Sequence, residues 1–187
     1  MSKRKWAVFG GLVVGLAVLG TGAIAAERVL KHGFSAHDEP SALEVMAART
    51  ARRLAAPERV RRLVNPVPAT HENLAQGMEF WAISCAVCHS NNGSGRTTIG
   101  RNVYPKAPDM RLPATQRLSD GELYYTIMNG IRLTAMPAWG APSAGGAPDE
   151  RNENLWRLVQ FIRHLPQLTP EEERQMKRLN PRVPDNP

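Results

Sequence analysis

Cys85, Cys88 and His89 stand in the run Cys85-Ala86-Val87-Cys88-His89 of a 187-residue chain that holds two cysteines in all. C-x-x-C-H is the attachment pattern of a covalent c-type haem. The two thiols add to the two vinyl groups, and the next residue offers its imidazole to the iron. One helical turn sets both sulfurs on one edge, with the histidine just beyond. Two other chemistries also use closely spaced cysteines. A thioredoxin-like redox pair asks for a βαβ setting, and no strand of that kind precedes Cys85. A structural zinc site asks for further ligands at short spacing, and no other cysteine exists. The expectation is therefore one haem c, covalent through Cys85 and Cys88, with His89 as its first iron ligand. No thiol is left over for a disulfide.

The second ligand decides what such an iron does. Met46, Met78, Met110, Met128 and Met136 are the methionine candidates, with His32, His37, His71 and His164 as rivals. Met136 precedes Pro137 in a loop after a helix, a setting that presents a thioether to a metal. Met78 lies on the haem-bearing helix itself and cannot curl round to the opposite face. Met128 falls on a helix where core packing is the simpler role, whereas Met110 is in a loop and is the real competitor. A thioether opposite an imidazole favours ferrous iron and raises the potential relative to two histidines. Two strong ligands also leave no open position for a substrate. His89 with Met136 thus points to a one-electron carrier that is not itself an enzyme and takes no small-molecule substrate. If Met136 dissociates, the alternative is a haem peroxidase or gas sensor. Arg132 is a candidate propionate partner or else a solvated side chain. Tyr104 and Trp139 are candidates to wall the pocket or bond a propionate, or else ordinary core.

These residues need elements to hold them. His71 to Cys85 reads as a helix entering the attachment site, and Asn91-Asn92-Gly93-Ser94-Gly95 breaks the chain directly after it. An irregular loop runs on to Thr115. Ser119-Asp120-Gly121-Glu122 is a capping box opening a helix through Met128, which Asn129-Gly130 ends. A loop from Leu133 to Trp139 and a Gly/Pro/Ala insert from Ala141 to Pro148 precede the closing helix, Asn152 to Leu165. There Leu155, Leu158, Val159 and Ile162 recur at core spacing, and Pro166 stops it. No stretch alternates as a strand, so the domain is expected to be all-α.

Upstream, Lys3, Arg4 and Lys5 precede an uncharged run from Trp6 to Ala26, about the ~20 residues a helix needs to cross a bilayer. Basic residues before it keep residues 1–5 cytoplasmic and export the rest. The competing reading is a cleaved signal peptide, with Ala23-Ile24-Ala25 as the cleavage site. Residues 27–70 read as a partly helical, Arg-rich spacer. Ser41-Ala42-Leu43-Glu44 opens a helix to about Ala55, with Leu43, Met46, Ala47, Thr50 and Leu54 along one face. Pro57 begins a second short segment. This spacer is expected to be a solvated stalk with its arginines over lipid headgroups, or else a docking segment for a neighbouring subunit. Residues 166–187 read as a tail with a short helix followed by disorder. The formal net charge is +7, and the excess sits in residues 1–70, since 71–165 carry nine basic against eight acidic residues. Export, and arginines that are not interleaved with stacking aromatics, exclude a nucleic-acid partner.

The C-x-x-C-H helix, the Ser119-Asp120-Gly121-Glu122 helix, the Ala135-Met136-Pro137-Ala138-Trp139 loop and the leucine-rich closing helix together resemble class I cytochrome c. The likeness covers residues 71–165, and is narrower still to membrane-anchored bacterial single-haem cytochromes. It implies three helices wrapped round one haem, the first and last crossing. Gly77 matches the family's crossing glycine, and Phe161 its closing-helix aromatic. Pro108, in Pro108-Asp109-Met110, resembles the family's Pro-x-Leu and is the implied partner of the His89 ring. The loop after the haem motif is longer than in the shortest members. The implied role is electron carriage at the outer face of the bacterial inner membrane, the haem domain in the periplasm. Electrons would pass from a dehydrogenase or quinol-oxidising complex to an oxidase or reductase. A fixed haem subunit of a larger membrane complex is the runner-up.

Overall fold

The computed structural model describes residues 3–141 and 151–183, so the insert expected from Ala141 to Pro148 lies, beyond its first residue, outside the described residues. The chain divides into two compact units, Met1–Asp38 and Glu39–Pro187. The first is a single helix, α1, Lys3–His32. Its stretch Val8–Lys31 is long and apolar enough to cross a membrane. The uncharged run stops at Ala26, yet the helix continues, because each residue added to an existing helix gains a hydrogen bond without a new nucleation cost. Glu27 and Lys31, one turn apart and paired at 2.7 Å, support the extension.

The second unit begins with α2, Ala42–Ala55, whose N-cap Ser41 accepts from the Glu44 amide. Then come α3 (Glu58–Arg61), α4 (His71–Ser84), α5 (Ala86–His89), α6 (Thr98–Arg101) and α7 (Pro113–Gln116). α8, Asp120–Asn129, starts with the expected reciprocal capping box of Ser119 and Glu122, and ends at Gly130 with φ +63°. α9 is Glu153–His164, capped by Asn152, and α10 is Pro170–Leu179, capped by Thr169 with Glu172. Among the described residues there is no strand, and the all-α expectation holds.

α4 and α9 form the centre. Leu155, Trp156, Leu158, Val159, Phe161 and Ile162 of α9 are all buried, facing Met78, Trp81 and Ala82 of α4. The two backbones meet at Gly77, where a Cβ would lie 2.3 Å from the Arg157 carbonyl oxygen. Phe161 is buried beside Trp81, ring centroids 5.8 Å apart, so Gly77 and Phe161 occupy the crossing that the resemblance implied. α8 closes the third side, with Tyr124 stacked on Trp156 at 4.1 Å.

Two stretches depart from expectation. A solvated stalk over residues 27–70 does not describe its second half, because Ala56, Val60 and Val67 are buried. The Val60 carbonyl sits so close to α8 that a Cβ on Gly121 would overlap it at 1.8 Å. Ser119 Oγ donates to the Arg61 carbonyl at 2.7 Å, and Asn65 Nδ2 to that of Trp156 at 2.8 Å. The tail is also more than a helix running into disorder. Met176 of α10 and Val183 beyond it are buried, and Asn180 Nδ2 donates to the Ala82 carbonyl at 2.7 Å. That carbonyl is among the last four of α4, which a helix leaves without partners of its own. Asn180→Ala is expected to cost about 1–2 kcal/mol of unfolding free energy, read from the denaturant midpoint of the detergent-solubilised protein. An unchanged midpoint would mean that the tail adds no stability.

Candidate haem-binding site

α4 delivers the motif directly. The Cys85 amide donates to the Trp81 carbonyl, and after a break at Cys85 the amides of His89 and Ser90 donate to Cys85 and Ala86, so a second short helical turn carries the rest of the C-x-x-C-H motif. Ser90 then turns out with φ +67°. The Trp81 indole N–H donates to the Ser90 carbonyl at 3.0 Å, its ring 5.7 Å from that of His89. The following loop folds back as a clasp. Thr97 Oγ1 donates to the Val87 carbonyl at 2.8 Å, and the Gly95 amide to that of His89 at 2.9 Å. Only glycine fits at 100, since a Cβ there would lie 2.2 Å from the Cys88 carbonyl oxygen.

Burial, with a smaller push from neighbouring Cys88, raises the Cys85 thiol to about 12, and burial raises Cys88 as well. A redox or nucleophilic cysteine needs a depressed pKa, so the pair is unsuited to thiolate chemistry at neutral pH. Burial pushes His89 down, which favours the neutral imidazole that ligates metals, and the Pro108 carbonyl opposes this in part. His89 Nδ1 is buried without a partner at full hydrogen-bond geometry. The Met136 loop is stapled to the end of α8. The Trp139 amide donates to the Ile127 carbonyl at 3.1 Å and the Gly140 amide to that of Met128 at 2.9 Å. The Ile131 amide donates to the Met136 carbonyl, and the Met136 amide to Thr134 Oγ1. Cys85, Met136 and Trp139 pack on the rim of one apolar cluster, as does Met110.

Residues 72–162 match the family model described as cytochrome C oxidase, cbb3-type, subunit III. This is a class I cytochrome c domain. No curated protein matches the chain significantly. A cytochrome c domain implies haem c and haem-based electron transfer. The residues here suit that group: two neutral thiols one turn apart, a neutral imidazole next to them, and a thioether on the same apolar rim. They do not suit a metal held by the protein alone, since among the described residues no three His, Cys, Asp or Glu cluster.

Around this cytochrome site the remaining expected residues scatter. Trp139 packs edge-on against Phe80 of α4, centroids 5.9 Å apart. Pro108 is exposed, and its carbonyl bears on His89. Tyr104 turns its hydroxyl to Glu44 of α2 at 2.5 Å. Arg132 is exposed in the loop before Met136. Among the rival methionines, Met78 and Met128 are buried core, and Met46 is exposed. The Met110 sulfur accepts from Thr115 Oγ1 at 3.8 Å. Of the histidines, His37 and His71 are exposed, and His164 Nε2 lies 2.8 Å from Glu172. Sequence reasoning missed the holding residues Trp81, Thr97 and Gly100, and read Gly95 only as part of the break after the motif. The one local signal was the glycine spacing after the motif.

Proposed function

We propose that this protein is a one-electron carrier with a single haem c, bound covalently by Cys85 and Cys88 and ligated by His89 and Met136. The observation that carries this reading is the apolar rim shared by the attachment turn and the stapled Met136 loop. When bound, the haem iron takes up and gives back one electron. The chain's own residues hold its surroundings still. Trp81 and the Thr97 clasp fix the turn that bears His89, and the α8 end fixes the loop that bears Met136. Rigid ligands keep reorganisation small as charge arrives and leaves. Met136 is preferred to Met110 because the Met110 sulfur is engaged by Thr115.

The span-length helix α1 tethers the domain to the bacterial inner membrane, with residues 71–165 as the haem domain on the periplasmic side. Electrons come from and go to other redox proteins, and the protein catalyses no reaction of its own. A second reading is a fixed haem subunit of a larger membrane complex. It is favoured by the family description, which names a subunit of an oxidase.

The optical spectrum of the oxidised protein tests the ligation. A weak far-red band reports a methionine sulfur on ferric iron. It should be present in the wild type and absent in Met136→Ala, whose reduced form should then bind CO. If Met136→Ala keeps the band, another methionine is the ligand, and Met110→Ala is the next variant. If the wild type lacks the band and is high-spin, the iron is open and the carrier reading fails.

A further inference from the structure

α2 is turned inside out relative to an ordinary surface helix. At about 100° per residue, Leu43, Met46, Ala47, Thr50 and Leu54 share one side. That side points away from the protein: Leu43 is 70% exposed, Met46 60% and Leu54 77%. The opposite side, with Val45, Arg52 and Ala56, faces the domain, and Ala56 is buried. Polar contacts fix this orientation. Glu44 accepts from the Tyr104 hydroxyl, and Glu39 just before the helix pairs with Lys106. Beneath the helix lies a cavity of about 160 Å³, lined by Arg49, Arg52 and Arg53 with Leu118 and Glu122. Burial, together with the Arg49 charge, lowers the Arg52 pKa.

An amphipathic helix gains nothing from showing leucines to water, so something apolar covers this side. Two observations choose the occupant. Nine residues separate His32, the end of α1, from Ala42, the start of α2. At roughly 3.3–3.6 Å per residue the ten steps from His32 to Ala42 keep α2 within about 36 Å of the end of a membrane-length helix. Arg49 and Arg53, which also line the cavity beneath, are themselves exposed, with Arg53 next to the apolar side, and Arg59, Arg61 and Arg62 follow the helix. Guanidinium groups beside leucines match the boundary between lipid phosphates and acyl chains.

We propose that α2 lies in the headgroup layer of the bilayer that α1 crosses, with Leu43, Met46 and Leu54 in the acyl boundary and Arg49 and Arg53 on lipid phosphates. The proposal rests on the reading of α1 as a membrane anchor. It gives the haem domain a second point of attachment and so a fixed attitude to the membrane.

The test uses the full-length holoprotein in bilayers of phosphatidylglycerol mixed with phosphatidylcholine, or of phosphatidylcholine alone. Haem attachment consumes Cys85 and Cys88, so a nitroxide can be placed at one introduced thiol: Met46→Cys, Leu54→Cys, Ala48→Cys or, as anchor control, Leu16→Cys. In the anionic bilayer, labels at 46 and 54 should relax several-fold more with oxygen than with a water-soluble nickel complex. The label at 48 should do the reverse. The contrast should weaken in phosphatidylcholine alone, and in Arg49→Gln/Arg53→Gln. If labels at 46, 48 and 54 are all equally open to nickel while 16 is in lipid, the proposal is overturned and the anchor stands. If 16 is also open to nickel, the anchor reading fails and the proposal with it. Protection at 46 and 54 in native membranes but not in pure lipid would assign the face to a protein partner and overturn the lipid assignment.

Discussion

Cys85→Ala/Cys88→Ala should yield a chain that carries no haem through a denaturing gel, whereas the single variant Cys88→Ala should keep a weakened haem stain. Each thioether is a separate covalent link, and either suffices to retain the group once polypeptide structure is lost. The surroundings of the two thiols fit this use. Cys85 is raised to about 12 by burial and by Cys88, and burial raises Cys88, so neither surrounding favours the thiolate. The turn that bears them is held rigid by α4 on one side and by the Thr97 clasp on the other. The native solution spectrum of the double variant supplies a second readout, because a haem held only by His89 and Met136 would leave the chain on dilution. Haem stain persisting in the double variant would refute the covalent assignment. A wild-type chain that carried no covalent haem and showed thiol-disulfide exchange would revive the redox-pair reading that the raised pKa argues against.

Local chemistry made part of this architecture readable in advance. The capping box at Ser119 and Glu122 and the left-handed Gly130 are decided within a few residues, and they bound α8 as expected, while Asn152, read as the first residue of the closing helix, is its cap. The C-x-x-C-H turn is similarly local. Features fixed by distant partners were not legible. Val60 stands alone among charged residues, and its burial depends on Gly121, some sixty positions away, having no side chain. Asn180 looks like any tail asparagine until the carbonyl at the end of α4 claims it. The direction of α2 was hidden for a related reason. The pattern located the apolar side correctly, but only Tyr104 and Lys106 reveal that it faces outward. Tyr104, a candidate to wall the haem pocket or else ordinary core, gives its hydroxyl to that helix.

These long-range contacts matter for function because they converge on the attachment turn. Asn91, two positions after His89, is buried, and its Nδ2 donates to the carbonyls of Asn180 and Val183. Residues 56–67 press on α8, whose far end carries the Met136 loop. The stretches outside the 72–162 match therefore brace both ends of the proposed iron coordination. A minimal domain cut to residues 71–165 would lose both braces.

Replacing Gly77 with alanine should destabilise the protein by about 2 kcal/mol, the balance of two opposed effects. Alanine is the better helix former by about 1 kcal/mol in a helix interior, which favours the substitution. Against it, the new Cβ would lie 2.3 Å from the Arg157 carbonyl oxygen, 2.9 Å from that carbonyl carbon and 3.1 Å from Phe161 Cβ. Two of these atoms are backbone, so no side chain can rotate aside, and α4 and α9 must separate. Overpacking of this kind costs typically 1–3 kcal/mol and occasionally more, and rigid backbone places it at the upper end. The clash therefore wins. Guanidinium unfolding of the detergent-solubilised holoprotein measures it, with Gly15→Ala as the control, since a Cβ at Gly15 meets nothing within 4 Å. Separation of the helices also moves Trp81, which packs on Phe161 and anchors the Ser90 turn beside His89. Gly77→Ala should accordingly weaken the far-red methionine band, while Gly15→Ala leaves it untouched. An unchanged midpoint in Gly77→Ala would mean that the two helices do not cross at backbone contact.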